Sequence, residues 1–183
     1  MIKKLALVGA SSTGKTTLLT LLEKQHRDNS DIAFVHEGAR QILSEQAPSE
    51  PFTLSVQERI LERVLQNEQL AVEKNPRLIV TDTSALEVMF YTKVAGDEKG
   101  AAMLYKKVKD YIPTYTKFLL LNPADVPFLN DEVRQESKET RDKIHEMLLA
   151  FYQEHHLPYE IIQGTIAERQ KQLNNIFQSY LSQ

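Results

Sequence analysis

Residues 9–16 read Gly9-Ala10-Ser11-Ser12-Thr13-Gly14-Lys15-Thr16, preceded by the apolar run Leu5-Ala6-Leu7-Val8 and followed by Thr17-Leu18-Leu19-Thr20-Leu21-Leu22. A short buried strand, a loop with two fixed glycines and a helix, in that order, commit the chain to an α/β architecture with the loop at the carboxyl edge of a parallel strand. The spacing G-x-x-x-x-G-K-[ST] is that of a phosphate loop. Gly9 and Gly14 permit the backbone conformations by which the successive amides of Ser11, Ser12, Thr13 and Gly14 wrap an anion, and the helix starting near Lys15 adds its positive end. The ligand class is a nucleoside triphosphate with magnesium: Lys15 reaches the β- and γ-phosphates, Thr16 places its hydroxyl on the metal and Thr17 contacts the α-phosphate side. A Gly/Ser/Thr-rich turn in which Thr13 merely caps a helix is the competing explanation, and the strand-to-helix context argues against it.

The chain has 183 residues, which fits one domain spanning 1–183 with one site. A net charge of −3 and the lack of any Lys/Arg-rich block argue against nucleic acid or a membrane surface as partner. Absence of cysteine removes disulfides, cysteine nucleophiles and thiolate zinc sites together. Met1-Ile2-Lys3-Lys4 precedes an apolar run too short for a secretory core, so the expectation is a cytoplasmic protein.

Strand and helix patterns alternate down the chain. Ile32 to His36 reads as a second strand, with a short helix over Glu37 to Leu43; Ser55-Val56-Gln57-Glu58 resembles a capping box ahead of an amphipathic helix carrying Ile60, Leu61, Val64, Leu65 and Leu70. Leu78 to Asp82 is a third strand, Ser84 to Glu87 a second capping box opening a helix to Val94, and Ala101 to Tyr111 a further helix stopped by Pro113. Phe118 to Leu121 and Tyr159 to Ile162 are the fourth and fifth strands, Ile144 to His155 lies between them as a helix, and Thr165 to Glu168 is a third capping box. The polar, irregular stretch 124–141 is the candidate lid. The alternation implies a five-stranded parallel sheet in the order 2-3-1-4-5, with helices on both faces and ligands at the carboxyl ends of the strands.

Asp82 closes an apolar strand as the acidic residue of a Walker B element does, and so points at the magnesium, or accepts the proton of an attacking hydroxyl. Capping the next helix is its bland alternative. Glu37 and Arg40 lie three apart and share a helical face, which either lines an acceptor site or forms a solvated ion pair. If Glu37 faces inward it competes with Asp82 as general base. Arg134 and Arg141 either close over the triphosphate as arginine fingers do or pair with Glu132, Glu136 and Glu139 on a solvated face. His155-His156 has no neighbouring third ligand and reads as a helix-terminal pair, and Tyr91, Tyr105, Tyr111 and Tyr115 read as packing rings with stacking on a base as the alternative.

The run Gly9 to Thr17, Glu37-Gly38-Ala39-Arg40, Ile79-Val80-Thr81-Asp82-Thr83, and Asp125-Val126-Pro127-Phe128-Leu129-Asn130-Asp131 followed by Arg134 and Arg141 together resemble the ribosylnicotinamide kinase domain of bifunctional bacterial NAD-biosynthesis proteins. The resemblance implies a P-loop, nucleoside-monophosphate-kinase-like fold, ATP as the donor, and 5′-phosphorylation of nicotinamide riboside. It departs from the family at the second strand, where an aromatic-plus-glutamate signature is replaced by His36-Glu37, and in the adenylyl-transfer or DNA-binding domains that family members carry. The reading is an ATP·Mg²⁺-dependent small-molecule kinase with Lys15, Asp82, Arg134 and Arg141 catalytic and Glu37, Arg40 and Asp82 at the acceptor. A kinase for another metabolite and a nucleotide-dependent switch are the alternatives.

Overall fold

The computed structural model describes residues 1–36, 38, 39, 42, 43, 53–128 and 137–182. Five strands form one parallel sheet: β1 (Lys3–Val8), β2 (Ile32–Val35), β3 (Leu78–Asp82), β4 (Lys117–Leu121) and β5 (Tyr159–Ile162), in the order β2-β3-β1-β4-β5. The order matches the sequence expectation. Helices α1 (Lys15–Gln25), α2 (Leu54–Glu73), α3 (Glu87–Val94), α4 (Glu98–Val108), α5 (Lys138–Glu154) and α6 (Ile166–Leu181) cover the sheet.

Because neighbouring strand residues point to opposite faces, the central strands divide their side chains between two cores. Ala6, Val8, Phe118 and Leu120 join Ile60, Leu61, Val64, Leu86, Leu104 and Leu148 in one. Leu5, Leu7, Leu119 and Leu121 join Leu18, Leu22, Leu173 and Phe177 in the other. Helices α1 and α6 therefore lie on one face and α2 to α5 on the opposite one. Each helix runs back against its strand, so the N-terminal ends of α1, α2, α3, α5 and α6 gather at the carboxyl edge of the sheet.

Several helix starts differ from the sequence reading. Helix α2 begins at Leu54 with Thr53 as N-cap and no side-chain cap, and Glu58 instead bonds Lys107 of α4 at 2.6 Å. Leu70, placed on the apolar stripe by its spacing, is 52% exposed; Glu68 occupies the buried position. Helix α4 starts at Glu98, three residues before the expected Ala101, because Asp97 accepts from the Gly100 amide at 2.7 Å and caps it. Helix α5 starts at Lys138 under a Ser137 cap, so residues 138–141 of the expected irregular stretch are helical. The capping box at Thr165 and Glu168 forms with both of its bonds. Ala39, Ile42 and Leu43 are helical, whereas Glu37, Arg40 and the stretch 129–136 with Arg134 lie outside the described residues.

Glu68 is fully buried and is the centre of a polar network beneath the α2 face. Its carboxylate accepts from Lys4 Nζ at 2.7 Å, from Tyr111 OH at 2.8 Å and from Tyr115 OH at 2.6 Å. Lys4 also donates to Tyr111 OH and Thr114 Oγ1, and Tyr115 OH accepts from the Ala85 amide at 2.9 Å. Burial, reinforced by the Glu68 charge, pushes both phenols above their usual range, so they remain protonated donors. The two tyrosines thus serve packing and hydrogen bonding in the core. Removing one charge of such a pair strands the other, whereas removing both does not. Glu68→Ala is expected to cost about 3–5 kcal/mol in urea unfolding, and the double variant Lys4→Met/Glu68→Leu much less; equal losses would show that the pair is not the determinant.

Candidate active site

The loop between β1 and α1 has the backbone that its sequence requires. Gly9, Ser12 and Gly14 take φ of 145°, 54° and 89°, and Gly14 is the N-cap of α1. A Cβ on Gly9 would meet Thr13 Oγ1 at 3.1 Å and the Leu121 carbonyl at 3.3 Å, so the first glycine answers a close approach as well as a positive φ. Thr13 Oγ1 donates to the Ala10 carbonyl at 2.9 Å and draws the loop across itself. Ser11, Thr13 and Lys15 are buried, while Thr16 and Thr17 open α1 on its exposed side.

Lys15 Nζ donates to the carbonyls of Gly9 at 2.5 Å and Ala10 at 2.9 Å. An ammonium has three donors, so one remains for a phosphate oxygen. Across the sheet, Leu7 of β1 is in register with Asp82 of β3, which brings the end of β3 beside the start of α1. Thr16 Oγ1 donates to Asp82 Oδ2 at 2.6 Å, with Asp82 only 2% exposed. The structure therefore brings Lys15, Thr16 and Asp82 together, and Asp82 does not serve as a helix cap. A hydroxyl and a carboxylate side by side at a phosphate loop are hard oxygen donors of the kind magnesium takes, with phosphates and waters supplying the remainder of its shell. Among the described residues no group of three or more His, Cys, Asp or Glu could hold a metal unaided.

The turn after Asp82 is tightly held. Thr83 has φ 79°, a conformation uncommon for a β-branched residue, and is fixed by its amide on the Leu7 carbonyl at 2.9 Å and its carbonyl on Thr81 Oγ1 at 2.6 Å. Tyr115 then secures Ala85. The expected capping box at Ser84 and Glu87 does not form: α3 starts at Glu87 without a side-chain cap, and Glu87 Oε1 accepts instead from the Gly9 amide at 2.9 Å. The physical reason is that Gly9 leaves the sheet at that point, and its buried N–H requires an acceptor. Glu87 also adds to the burial that pushes the enclosed Tyr152 phenol up.

Two functional candidates escaped the sequence reading: Glu87, which matched a different pattern, and Arg169. Arg169 is fully buried and donates to the carbonyls of Thr13 at 3.1 Å, Asn122 at 2.7 Å and Gly164 at 2.7 Å, with Asp125 at 3.5 Å. Its signal was a charged residue on the apolar stripe that continues through Leu173, Ile176 and Phe177.

Arg141 is buried on α5, its guanidinium on the Val126 carbonyl at 3.3 Å and on Asp142 at 3.1 Å, and 5.2 Å from the Phe128 ring centroid. It turns toward segment 126–128, and its contacts among the described residues do not include the phosphate loop. With Phe128 and His145 it lines a cavity of about 810 Å³ between that segment and α5. Burial holds the His145 imidazole below its ordinary range. The His155 ring packs against Phe151, 4.0 Å between centroids, and Tyr105.

Comparison with known proteins adds to this geometry. The family model described as AAA domain matches residues 4–169. No curated protein sequence matches the chain. Among solved structures, NadR protein in complex with NAD and AMP-PNP superposes with a TM-score of 0.75 at 18% identity, over 97% of this chain and 49% of that one. NadR in complex with NR gives 0.71 at 21% identity, over 88% and 43%. Deoxyadenosine kinase from M. mycoides gives 0.68 at 17%, over 96% and 99%. The chain thus spans about half the length of the NadR chains, and its fold is that of nucleoside and thymidylate kinases. No described helix is long and apolar enough to cross a membrane.

Replacing Glu87 by Ala leaves the Gly9 N–H buried without its acceptor, an expected loss of about 1–3 kcal/mol in chemical unfolding. Glu87→Gln keeps an acceptor oxygen and is expected to lose less than half as much. Equal stability of all three proteins would contradict the role of that hydrogen bond.

Proposed function

The chain belongs to the AAA domain family, a P-loop and hence nucleotide-binding fold, and we propose that it is an ATP-dependent small-molecule kinase whose acceptor is a nucleoside such as nicotinamide riboside, phosphorylated at its 5′-hydroxyl. The observation that carries this reading is the bond from Thr16 to Asp82 at 2.6 Å, which joins the phosphate loop to a buried carboxylate. The fold shared with NadR and a deoxynucleoside kinase supports a nucleoside as acceptor.

In this mechanism the amides of residues 11–16 and the start of α1 hold the triphosphate, and Lys15 supplies a positive charge at the β- and γ-phosphates. Thr16 and Asp82 are the residues that would hold magnesium, which when bound neutralises charge on the β- and γ-oxygens. The acceptor lies between the end of β3, the segment after β2 with Glu37 and Arg40, and the start of α3. Its hydroxyl oxygen attacks the γ-phosphorus in line as the bond to the β,γ-bridging oxygen breaks and ADP leaves. With Asp82 engaged by the metal the hydroxyl proton passes to Glu37; Asp82 takes it only where it does not hold the metal. Arg134 is proposed to supply positive charge to the transferring group, a role that Arg141, held on the Val126 carbonyl and Asp142, takes only by leaving those partners. Positioning and charge neutralisation perform the catalysis, with no covalent enzyme intermediate.

The test is ADP release from ATP·Mg²⁺ with and without nicotinamide riboside and a panel of nucleosides. Acceptor-stimulated release is expected; hydrolysis indifferent to every acceptor would favour a nucleotide-dependent switch. Lys15→Ala is expected to reduce turnover by at least about 10²-fold while the circular dichroism spectrum is retained. Asp82→Asn is expected to lower kcat by about 10²–10⁴-fold. Near-normal kcat in Asp82→Asn would remove both the metal-holding and the proton-accepting role from Asp82.

A further inference from the structure

We propose that Arg169 is a positioning residue for the phosphate loop: by holding the Thr13 carbonyl from outside, it aims the Gly14 amide into the anion cradle. The proposal rests on the reading of residues 9–16 as a phosphate site. In a planar trans peptide the C=O and N–H point in opposite directions. Thr13 O is drawn toward Arg169 Nη1 at 3.1 Å, so the N–H of the same peptide unit, that of Gly14, faces the other way, away from α6. Gly14, at φ 89°, has a soft backbone at this point, and without an outside partner the Thr13–Gly14 peptide is free to rotate.

The guanidinium is suited to this task in a way that an ammonium is not. Its planar fork reaches three carbonyls in three different loops, those of Thr13 after β1, Asn122 after β4 and Gly164 after β5. Asp125 balances the charge at 3.5 Å and, through Oδ2, accepts from the Gly164 amide at 2.8 Å. Arg169 itself is fixed at the first turn of α6 by the capping box of Thr165 and Glu168. The guanidinium is fully buried, and low surrounding polarity strengthens its bonds to the carbonyls. Arg169 thereby ties the phosphate loop to the turn where the candidate lid begins.

The test is calorimetric binding of ATP·Mg²⁺ and of inorganic tripolyphosphate to wild-type, Arg169→Lys and Asp125→Asn proteins, with each fold checked by circular dichroism. Arg169→Lys keeps the charge but cannot hold three carbonyls, and is expected to bind both ligands about tenfold more weakly. Asp125→Asn removes the counter-charge that orients the fork and is expected to weaken both in the same direction. The ¹H–¹⁵N resonance of Gly14 reads the peptide itself: ligand is expected to shift it strongly in wild-type protein and much less in Arg169→Lys. Loss confined to overall stability, with affinity per folded molecule unchanged, would overturn the proposal, as would a folded Asp125→Asn protein with wild-type affinity whether or not Arg169→Lys folds. Failure of the wild-type protein to bind either phosphate ligand would instead remove the phosphate reading of residues 9–16, and this proposal with it.

Discussion

An anion cradle made of main chain cannot hold itself open. The loop of residues 9–16 has positive φ at Gly9, Ser12 and Gly14, so it lies outside regular helix or sheet, and its outward polar groups need partners from elsewhere. Those partners come from every side. Glu87 on α3 receives the Gly9 amide, Arg169 on α6 receives the Thr13 carbonyl, Lys15 on α1 spans the Gly9 and Ala10 carbonyls, and Asp82 on β3 receives Thr16. With the outside of the loop committed in this way, its backbone is held in one shape, the preorganisation on which charge stabilisation depends.

The same logic extends one layer further. Glu87 can sit under the loop because the turn from Asp82 is held in an unusual conformation at Thr83, and that turn is steadied by Tyr115. Tyr115 is in turn fixed by Glu68, whose charge is matched by Lys4 at the start of β1. A chain of buried, matched polar groups thus connects the far end of the central strand to the segment beside the proposed acceptor. Such networks cost desolvation, and they hold one geometry in place only while every member is satisfied.

Much of this was legible in the sequence. The phosphate loop, the five strands and their order, and the capping box at Thr165 depend on local chemistry or on rules of α/β connection, and both are written in short windows. The positions that escaped are those whose partners are distant: Lys4 and Glu68 are 64 residues apart, Gly9 and Glu87 are 78 apart, and Thr13 and Arg169 are 156 apart. Glu87 satisfied a local S-x-x-E pattern, and a buried N–H at the end of β1 outcompeted it. Glu68 and Arg169 broke apolar stripes, a signal that says a charge is buried without naming what it meets. Leu70 failed in the opposite way, because its spacing fitted the stripe while the helix turned it to solvent. For Glu37, Arg40 and Arg134, which lie outside the described residues, the sequence remains the whole of the argument.

The proposed kinase activity has one most direct measurement. ATP carrying ¹⁸O in its γ-phosphoryl group, incubated with magnesium, the protein and nicotinamide riboside, allows mass spectrometry to follow that group to its destination. The expected result is label in a phosphorylated nucleoside with ADP formed in equal amount. Label found only in inorganic phosphate, at a rate that the nucleoside does not change, would contradict it.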